Sequence, residues 1–413
     1  MNTSREIDVE ITLDRLLAGT ASDSFEDGIR LDAELEPLGG PGGTVKPAIY
    51  AGAVYQADRR WPPAEDAQGD SGEPLDVYII DNVPSQANRH EEALRRSRPS
   101  TGVPEMILDL AGLPGLPPHL PRQLSSWQFP HRNADAYLRD STIEGTDFSK
   151  HAIGRSILDA THDRAAALVA WWPQALLYGF WQSHLGNKRS QAKHARAWAS
   201  EIIGWQPASK DTKVLGLKGD PLNLSVGESV VRDEQDQSGW SLGARPEKGD
   251  KTNKATKLSE IGHGQVPFPK AGEEFPAAVS FRRVTQRATG SFAQLRRVTL
   301  GPDFAEEADS AARALLVAMG LHAHSLAFGR GFSLRSGTDL RVASSSMMWL
   351  GLADESMGPL PHQASNELLL VAKRHARSVG VPLDGWDAEP IRLSPKDNVA
   401  RAIESSWPLA VES

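Results

Sequence analysis

The sequence DVYIIDNVPSQANRHEEALRRS, residues 76–97, places a strand directly before a helix. Its first six residues are mostly apolar and β-branched, which is typical of a strand. Residues 85–97 then follow a helical pattern. Strands and helices are interspersed in this way along much of the chain, and this pattern predicts an α+β sandwich of the ferredoxin-like type with large insertions.

The other predicted elements support the same fold class. Further strands are predicted at residues 7–13, 195–205 and 277–286, with a pair of short strands at 331–342. Helices are predicted at 154–172, from Pro173 onward, from a capping box of Asp303 and Glu306 through Ala318, and finally at 365–378. Residues 98–142 are rich in proline and lack a sustained period, so irregular structure is expected there.

Residues 207–274 differ sharply in composition from the rest of the chain. They are rich in Lys, Asp, Gly, Ser, Gln and Asn, and Trp240 is their only aromatic residue before Phe268. Such a segment buries too little apolar surface to form a compact core of its own. We therefore predict three regions: residues 1–206, an insertion at 207–274 that is either an extended hairpin or a separate lobe, and residues 275–413.

The 413 residues carry a net charge of −8 and include no cysteine. The acidic balance argues against a basic, histone-like protein. Without cysteine, disulfides, thiolate metal sites and thiol nucleophiles are excluded. Residues 1–17 lack the apolar segment of a secretory signal, and we find no apolar run near the ~20 residues that a membrane span needs. We expect a soluble cytoplasmic protein with no membrane contact.

Two stretches of this acidic chain contain basic residues and no acid. One lies between Asp163 and Glu201 and the other between Glu274 and Asp303. Their basic residues include Arg164, Lys188, Arg189, Lys193 and Arg196 in the first stretch, and Arg282, Arg283, Arg287, Arg296 and Arg297 in the second. Such stretches either bind the phosphates of a polyanion or form solvated faces whose acidic partners lie elsewhere in the fold.

The predicted strand at 277–286 sends neighbouring arginines in opposite directions. Arg282 and Arg283 are expected on opposite faces, because side chains alternate along a strand. The aromatic residues Phe281, Phe292 and Trp198 lie beside the basic stretches. They either stack on nucleic-acid bases or belong to the core, and the core is the more common location for such residues.

No catalytic motif stands out in the sequence. The patterns H-E-x-x-H, G-x-S-x-G and G-x-x-x-x-G-K-[ST] do not occur. His322 and His324 are two residues apart, which places them on different faces of a helix, and no neighbouring carboxylate completes a metal site. We therefore expect no catalytic residue, metal or cofactor.

Five segments, taken together, resemble a known protein family. They are SQANRHEEAL at 85–94, WWPQALLYGFWQSHL at 171–185, NKRSQAKHARAWASEIIGW at 187–205, KLSEIGHGQVPF at 257–268 and GFSLRSGTDL at 331–340. In this order they resemble the backbone subunit of the type I-U, or I-G, CRISPR effector complex, a protein of the RAMP superfamily. The resemblance implies an RRM-like palm with helical finger insertions and an extended thumb, which residues 207–274 would supply.

The resemblance also implies a function. Members of this family bind the guide RNA of Cascade, stack as a helical filament along it, and present it for pairing with target DNA. The implied partners are the guide RNA, target DNA through the guide, other copies of the chain and other Cascade subunits. Binding that ignores the spacer sequence must use phosphates and shape, which basic residues provide.

The predicted RNA-binding residues combine the basic stretches with the segments that carry the resemblance. They are Lys46, Gln86, Asn88, Arg89, Lys188, Arg189, Lys193, Arg196, His263, Arg282, Arg283, Arg287 and Arg335. Asn88 and Arg89 are expected near the start of a helix, where free N–H groups favour phosphate. Two alternatives remain: a metal-independent guide-processing ribonuclease with His263 or His162 as general base, and an interaction scaffold that binds no nucleic acid.

Overall fold

The structure, a computed structural model, describes most of the chain. The described residues are 10–50, 54–62, 73–113, 116, 118–181, 193–208, 212–213, 222, 224, 226–233, 239–250, 252–261, 263 and 275–406. The chain forms two compact units. One consists of Met1–Ala48, Gln56–Ala208 and Ser280–Ser413, and the other of Ile49–Tyr55 and Ser209–Val279.

Helices and strands alternate along the chain. The helices are α1 Leu13–Thr20, α2 Val83–Thr101, α3 Ala136–Arg139, α4 Ala152–Asp159, α5 Ala166–Trp171, α6 Pro173–Tyr178, α7 Phe292–Leu295, α8 Glu306–Phe328, α9 His362–Ser378 and α10 Asp397–Ser406. The strands up to the second unit's main sheet are β1 Gly28–Pro37, β2 Thr44–Val45, β3 Ile49–Tyr50, β4 Val54–Tyr55, β5 Ala57–Arg60, β6 Leu75–Asp81, β7 Met106–Asp109, β8 Gln123–Ser125, β9 Ser141–Ile143, β10 Thr146–Asp147, β11 Phe180–Trp181, β12 Lys193–His194, β13 Trp198–Pro207 and β14 Thr212–Lys213. The remaining strands are β15 Ser229–Asp233, β16 Trp240–Gly243, β17 Asn253–Thr256, β18 Phe275–Pro276, β19 Val279–Ser291, β20 Phe332–Arg335, β21 Thr338–Leu350, β22 Glu355–Met357 and β23 Ile391–Pro395. The predicted α+β class is confirmed.

The first unit is built on one large antiparallel sheet. Its strands follow the order β20-β21-β1-β19-β13-β6-β5, with β22 added beside β21. The predicted strands at 76–81, 195–205 and 277–286 are confirmed as β6, β13 and β19, and the predicted pair at 331–342 is confirmed as β20 and β21. Strand β21 continues to Leu350, because it pairs along the full length of β1.

Helices cover one face of this sheet. Helix α8 packs against α1, α2 and α9, and α2 packs on β13. The side chain of Asn82 caps α2 by accepting a hydrogen bond from the Ser85 N–H, and the helix ends at Gly102, whose φ of 69° suits a glycine. These helices bury the largest apolar cluster of the unit against the sheet.

Helix α8 corrects the expectation that the chain contains no apolar run long enough to cross a membrane. By length and composition Glu306–Phe328 could span one. However, 78% of its most apolar window is buried inside the protein, which is the environment of a core helix.

A second, five-stranded sheet corrects the expectation of irregular structure at 98–142. Its order is β10-β9-β23-β7-β8. Strand β23 comes from near the end of the chain and runs parallel to β7. The strands are two to five residues long, too short to produce a clear period in the sequence.

Four local predictions are wrong in the described residues. The predicted strand at 7–13 extends into residues that lie outside the described ones, and its described end begins α1, which Thr12 caps. The single helix at 154–172 is divided into α4 and α5, because residues between them hydrogen-bond to Thr299. The capping box does not form, since α8 begins at Glu306 and this carboxylate binds Arg313 instead. Helix α9 is not the final helix, because α10 follows it.

Three histidines of the first unit, His90, His194 and His322, are buried, and the half-buried His324 lies beside His90. Burial lowers the pKa of His194, His322 and His324 to about 4. Burial and the neighbouring His324 also lower the pKa of His90 well below its usual value. The rings of His90 and His324 lie 5.6 Å apart between centroids, so a charge on either would oppose a charge on the other.

The second unit contains a three-stranded antiparallel sheet in the order β16-β15-β17. Strands β14 and β18 pair with each other, as do β3 and β4. Most of the predicted insertion at 207–274 lies in this unit, and its identity as a thumb remains a prediction.

We expect Gly320→Ala to destabilise the protein by about 1–3 kcal/mol through overpacking. A Cβ atom at 320 would lie 2.6 Å from Cε3 of the buried Trp198. Alanine usually stabilises a helix relative to glycine. A loss of stability at position 320 would therefore point to the close contact with the Trp198 ring. Urea unfolding measures the effect. In a Trp198→Leu background the same change should cost less, and an equal cost in both backgrounds would contradict the packing argument.

We expect the free energy of unfolding to fall as the pH drops from about 6.5 toward 4. The folded protein binds protons on His194, His322 and His324 less readily than the unfolded chain does. The stability that these neutral histidines contribute is therefore complete above the pKa of histidine in the unfolded chain, and it is lost as the pH falls toward the folded pKa of about 4. Urea titrations at several pH values test this. His324→Gln should make the decline shallower, while replacing the exposed His131 should not.

Candidate nucleic-acid interface

The side chain of Asp81 lies fully buried where β6 ends and α2 is about to begin. Three residues of α2 donate to its carboxylate: Ser85 Oγ at 2.8 Å, Gln86 Nε2 at 2.5 Å and Arg89 Nε at 2.8 Å. From the distant β20, Arg335 Nη2 donates to it at 2.9 Å. A buried carboxylate needs such charged and hydrogen-bonded partners, so Asp81 joins two elements that are far apart in sequence.

Gln86 extends this network into the sheet. Its Oε1 accepts hydrogen bonds from Ser200 Oγ and Gln286 Nε2, both at 2.8 Å. The residue is fully buried. Since Gln86 has no exposed surface, we now expect it to support the site from within and not to contact RNA directly.

Arg335 also fixes the loop that contains Lys46. Its Nη1 donates to the backbone oxygens of Lys46 and Ile80, at 3.2 and 2.9 Å. Thr338 Oγ1 donates to the same Lys46 oxygen at 2.5 Å. The Lys46 side chain is half-buried. The predicted site residues Lys46, Arg89 and Arg335 therefore lie close together around Asp81.

A groove of about 890 Å³ lies between α2 and the end of α8 with β20. Three arginines, Arg89, Arg96 and Arg330, line it. Its polar lining includes Ser85, Asn88, Ser97, Ser100 and Ser333. Glu92 is the one acidic residue in this lining, and hydrogen bonds from Arg95 and Arg96 lower the pKa of its carboxyl group. Arg89 pairs with Asp81 and Arg96 with Glu92, so the excess positive charge of the groove lining comes from Arg330.

The predicted position of Asn88 in α2 needs correction. The helix begins at Val83, and Asn82 is its cap. Asn88 therefore lies beyond the first four residues, whose N–H groups alone lack acceptors within the helix. Its exposed side chain faces the groove, so its contribution would be a side-chain contact and not a helix-terminus contact.

The second basic stretch does not form a free positive patch. Two of its arginines pair with carboxylates of the adjacent strand β1: Arg283 with Glu34, and Arg287 Nε with Asp32 Oδ1 at 2.5 Å. Glu34 and Asp32 are distant from these arginines in sequence, but they lie in the neighbouring strand. Arg296 donates to the backbone oxygen of Glu26 at 2.8 Å. Arg282 points the opposite way from Arg283, as predicted, and is exposed with no ion pair to any residue that the structure describes.

The three aromatic residues beside the basic stretches belong to the core. Trp198 is 1% exposed, Phe281 7% and Phe292 0%. None presents a ring for stacking, so the core interpretation is confirmed and the stacking interpretation is wrong.

None of the remaining predicted residues that the structure describes lines the groove. Lys188 and Arg189 lie outside the described residues. Lys193 is exposed with its Nζ 5.9 Å from the Trp181 ring centroid. Arg196 is exposed overall, but partial desolvation of its guanidinium and the nearby Arg132 lower its pKa. His263 belongs to the second unit.

Sequence reasoning missed two arginines of the groove. Arg96 follows Asn88 and Arg89 by eight and seven residues, so helical spacing could have placed it on the same face. Arg330 joins the site only through the packing of α8 beside α2, and no sequence pattern signals this. Within the described part of the chain, no group of three or more His, Asp or Glu side chains could hold a metal ion.

We expect Asp81→Ala to destabilise the protein by about 3–5 kcal/mol, because it leaves Arg89 and Arg335 without their buried partner. Chemical denaturation measures the loss. Asp32→Ala is a matched control, because it also removes the carboxylate partner of an arginine. The pair of Asp32 with Arg287 is more exposed, so its loss should lower the free energy of unfolding by less than about 1 kcal/mol. Equal small losses from both variants would show that the buried network contributes little.

Comparison with known proteins gives one family. Residues 29–208 match the family model described as CRISPR-associated protein GSU0053. The matched range includes Asp81, Gln86 and Arg89 but ends before Arg330 and Arg335. No curated protein matches the chain. The similarity over residues 29–208 supports a CRISPR-associated protein with a role in CRISPR defence.

Proposed function

We propose that this protein is a non-catalytic backbone subunit of a type I CRISPR effector complex, in which several copies bind one guide RNA and present it to target DNA. The observation that carries this proposal is the groove between α2 and β20. It concentrates Arg89, Arg96 and Arg330 on a chain whose net charge is −8. The family match supports the CRISPR context.

The chemistry of the groove fits a nucleic-acid backbone. Arginine binds phosphate through a fork of N–H donors, and hydroxyl and amide side chains such as those of Ser97 and Asn88 also donate to phosphate and sugar oxygens. Such contacts carry no direct sequence information. A subunit that holds guides of any spacer sequence requires this property.

The Asp81 network positions the groove. It holds Arg89 through its Nε atom and links α2 to β20, the two sides of the groove. Because the hydrogen bonds of Arg89 and Arg335 to Asp81 already restrict these side chains, less conformational entropy is lost when RNA binds.

In this proposal the second unit acts as the thumb, and the other copies of the chain and further Cascade subunits complete the complex. The protein would work in the cytoplasm, where guide RNA is assembled. The resemblance of the quoted segments and the family match support these points.

The protein is proposed not to be an enzyme, and the ribonuclease alternative has a direct test. His162 and His263 are the candidate general bases of that alternative. Pure protein is incubated with repeat RNA in EDTA. Intact RNA supports the binding role, and a product that ends in a cyclic phosphate would establish a metal-independent ribonuclease instead.

We expect the double variant Arg96→Ala, Arg330→Ala to weaken binding of unrelated guide sequences to a similar degree and to reduce the salt dependence of binding. Each lost phosphate contact lowers the slope of log K against log[salt] by ~0.7 for single strands. Fluorescence anisotropy over a salt series measures both quantities.

Arg155→Ala is the matched control for this experiment, since Arg155 is an exposed arginine of α4 away from the groove. It should leave the slope unchanged. Equal effects from the control and the double variant, or a loss restricted to one guide sequence, would contradict the groove proposal.

A further inference from the structure

A cavity of about 520 Å³, the inner cleft, lies between the large sheet of the first unit and helix α8. One row of paired residues in three neighbouring strands forms part of its floor: Gln286 of β19, Ala33 of β1 and Ser345 of β21. Directly paired residues of antiparallel strands point to the same face of a sheet. Because Ala33 and Ser345 are small, this row leaves space between the sheet and the helix.

One face of α8 forms a wall of the inner cleft. Leu321, His324 and Phe328 lie on this face at helical spacing, and all three line the cleft. Leu360, which precedes α9, and Met357 of β22 add further apolar surface. The volume lies within the range of about 300–1,000 Å³ that is typical of small-molecule sites, which are mainly apolar with a few polar groups.

The side-chain amide of Gln286 is oriented by the Asp81 network. The Asp81 carboxylate accepts hydrogen bonds, so Gln86 donates to it through Nε2 at 2.5 Å. Gln86 Oε1 is then the acceptor for Gln286 Nε2 at 2.8 Å. The orientation of Gln286 is thereby fixed, and its Oε1 atom has no hydrogen-bond partner among the described residues.

This carbonyl oxygen is in an unfavourable environment unless a donor reaches it. Gln286 is 2% exposed, and a buried polar group without a hydrogen bond destabilises a protein. His324 presents a similar atom, because its Nδ1 is also buried and has no partner within the described part of the chain. Two buried polar atoms that lack partners therefore belong to residues that line the same cavity.

The inner cleft does not favour a charged ligand. Asp32 is the one described lining residue besides the histidines that ionises, and its carboxylate accepts hydrogen bonds from Arg30 Nε and Arg287 Nε at 2.8 and 2.5 Å. Burial lowers the pKa of His324 to about 4, so its ring is neutral at pH 7. The other lining histidine, His362, is exposed at the start of α9. An uncharged ligand therefore suits the cleft better than a phosphate-bearing one.

The apolar lining favours an aromatic ligand. Phe328 lines the inner cleft together with Met347 and Met357, which pair with each other in β21 and β22. Aromatic side chains and methionine sulfur both make favourable contacts with aromatic rings.

We propose that the inner cleft binds an uncharged aromatic molecule with an N–H or O–H donor, which donates to Gln286 Oε1 while its ring packs against Phe328 and Leu321. This inference is independent of the proposed function, because it requires neither RNA nor another copy of the chain. It assigns to the buried Gln286 a direct contact with a ligand, in addition to its place in the Asp81 network.

A saturation-transfer difference NMR titration of the full-length protein with indole tests the proposal. Benzofuran is the matched control ligand, because it has the same shape but an oxygen atom replaces the N–H group. We expect indole to bind, and benzofuran to bind roughly fivefold more weakly, since the hydrogen bond to Gln286 Oε1 is lost. Changing the ligand leaves the hydrogen bonds of Gln286 to Gln86 and Ser200 intact, whereas replacing Gln286 would remove them.

Two serine variants of β21 locate the site. Ser345→Phe places a ring in the inner cleft and should abolish indole binding. Ser344→Phe is the matched control, because neighbouring residues of a strand point to opposite faces and Ser344 does not line the cleft. Both serines are exposed, so both variants should fold, and urea unfolding verifies this.

Three results would overturn the proposal: no indole binding by the folded wild-type protein, equal affinities for indole and benzofuran, or equal binding by wild type and Ser345→Phe. Loss of binding in Ser344→Phe would also contradict the location. Addition of single-stranded RNA separates this inference from the proposed function. RNA should bind without displacing indole, and displacement would assign the cleft to RNA instead. If RNA does not bind at all, the proposed function fails while the indole results still decide this inference.

Discussion

The burial of the Asp81 carboxylate is the constraint on which the candidate interface depends. An isolated charge in this position would be strongly destabilising, so Arg89 of α2 and Arg335 of β20 must stay within hydrogen-bond distance of it. Through Gln86 the same network reaches Gln286 in the middle of the sheet. The first turns of α2 are thereby held both to β20 at the edge of the sheet and to β19 in its middle.

The distribution of charge explains how an acidic chain can have a basic groove. On the sheet, Arg287 and Asp32 of the neighbouring strands β19 and β1 neutralise each other. Arg60 of β5 reaches past β6 and binds Glu201 of β13 through both carboxylate oxygens. In the groove, one acid accompanies three arginines. Local excess of charge, and not the net charge of the chain, governs where a polyanion is attracted.

The proposed binding of guide RNA depends on the chemistry of the groove. The groove of the first unit presents guanidinium groups and hydroxyls, which suit phosphates and sugars. Such contacts carry no direct sequence information, as the proposed guide-binding role requires.

The sequence by itself determined the α+β class and most of the long elements, including β6, α2, β13 and β19, because their apolar patterns are local and repeat with a clear period. It also placed Arg89 in the site. It could not reveal that Glu34 and Asp32 neutralise Arg283 and Arg287, nor that Arg330 joins Arg96. These relations depend on strand order and helix packing, which bring together residues hundreds of positions apart. Only the tertiary structure decided which basic residues remain available for a ligand, since an ion pair depends on distance in space and not on separation along the chain.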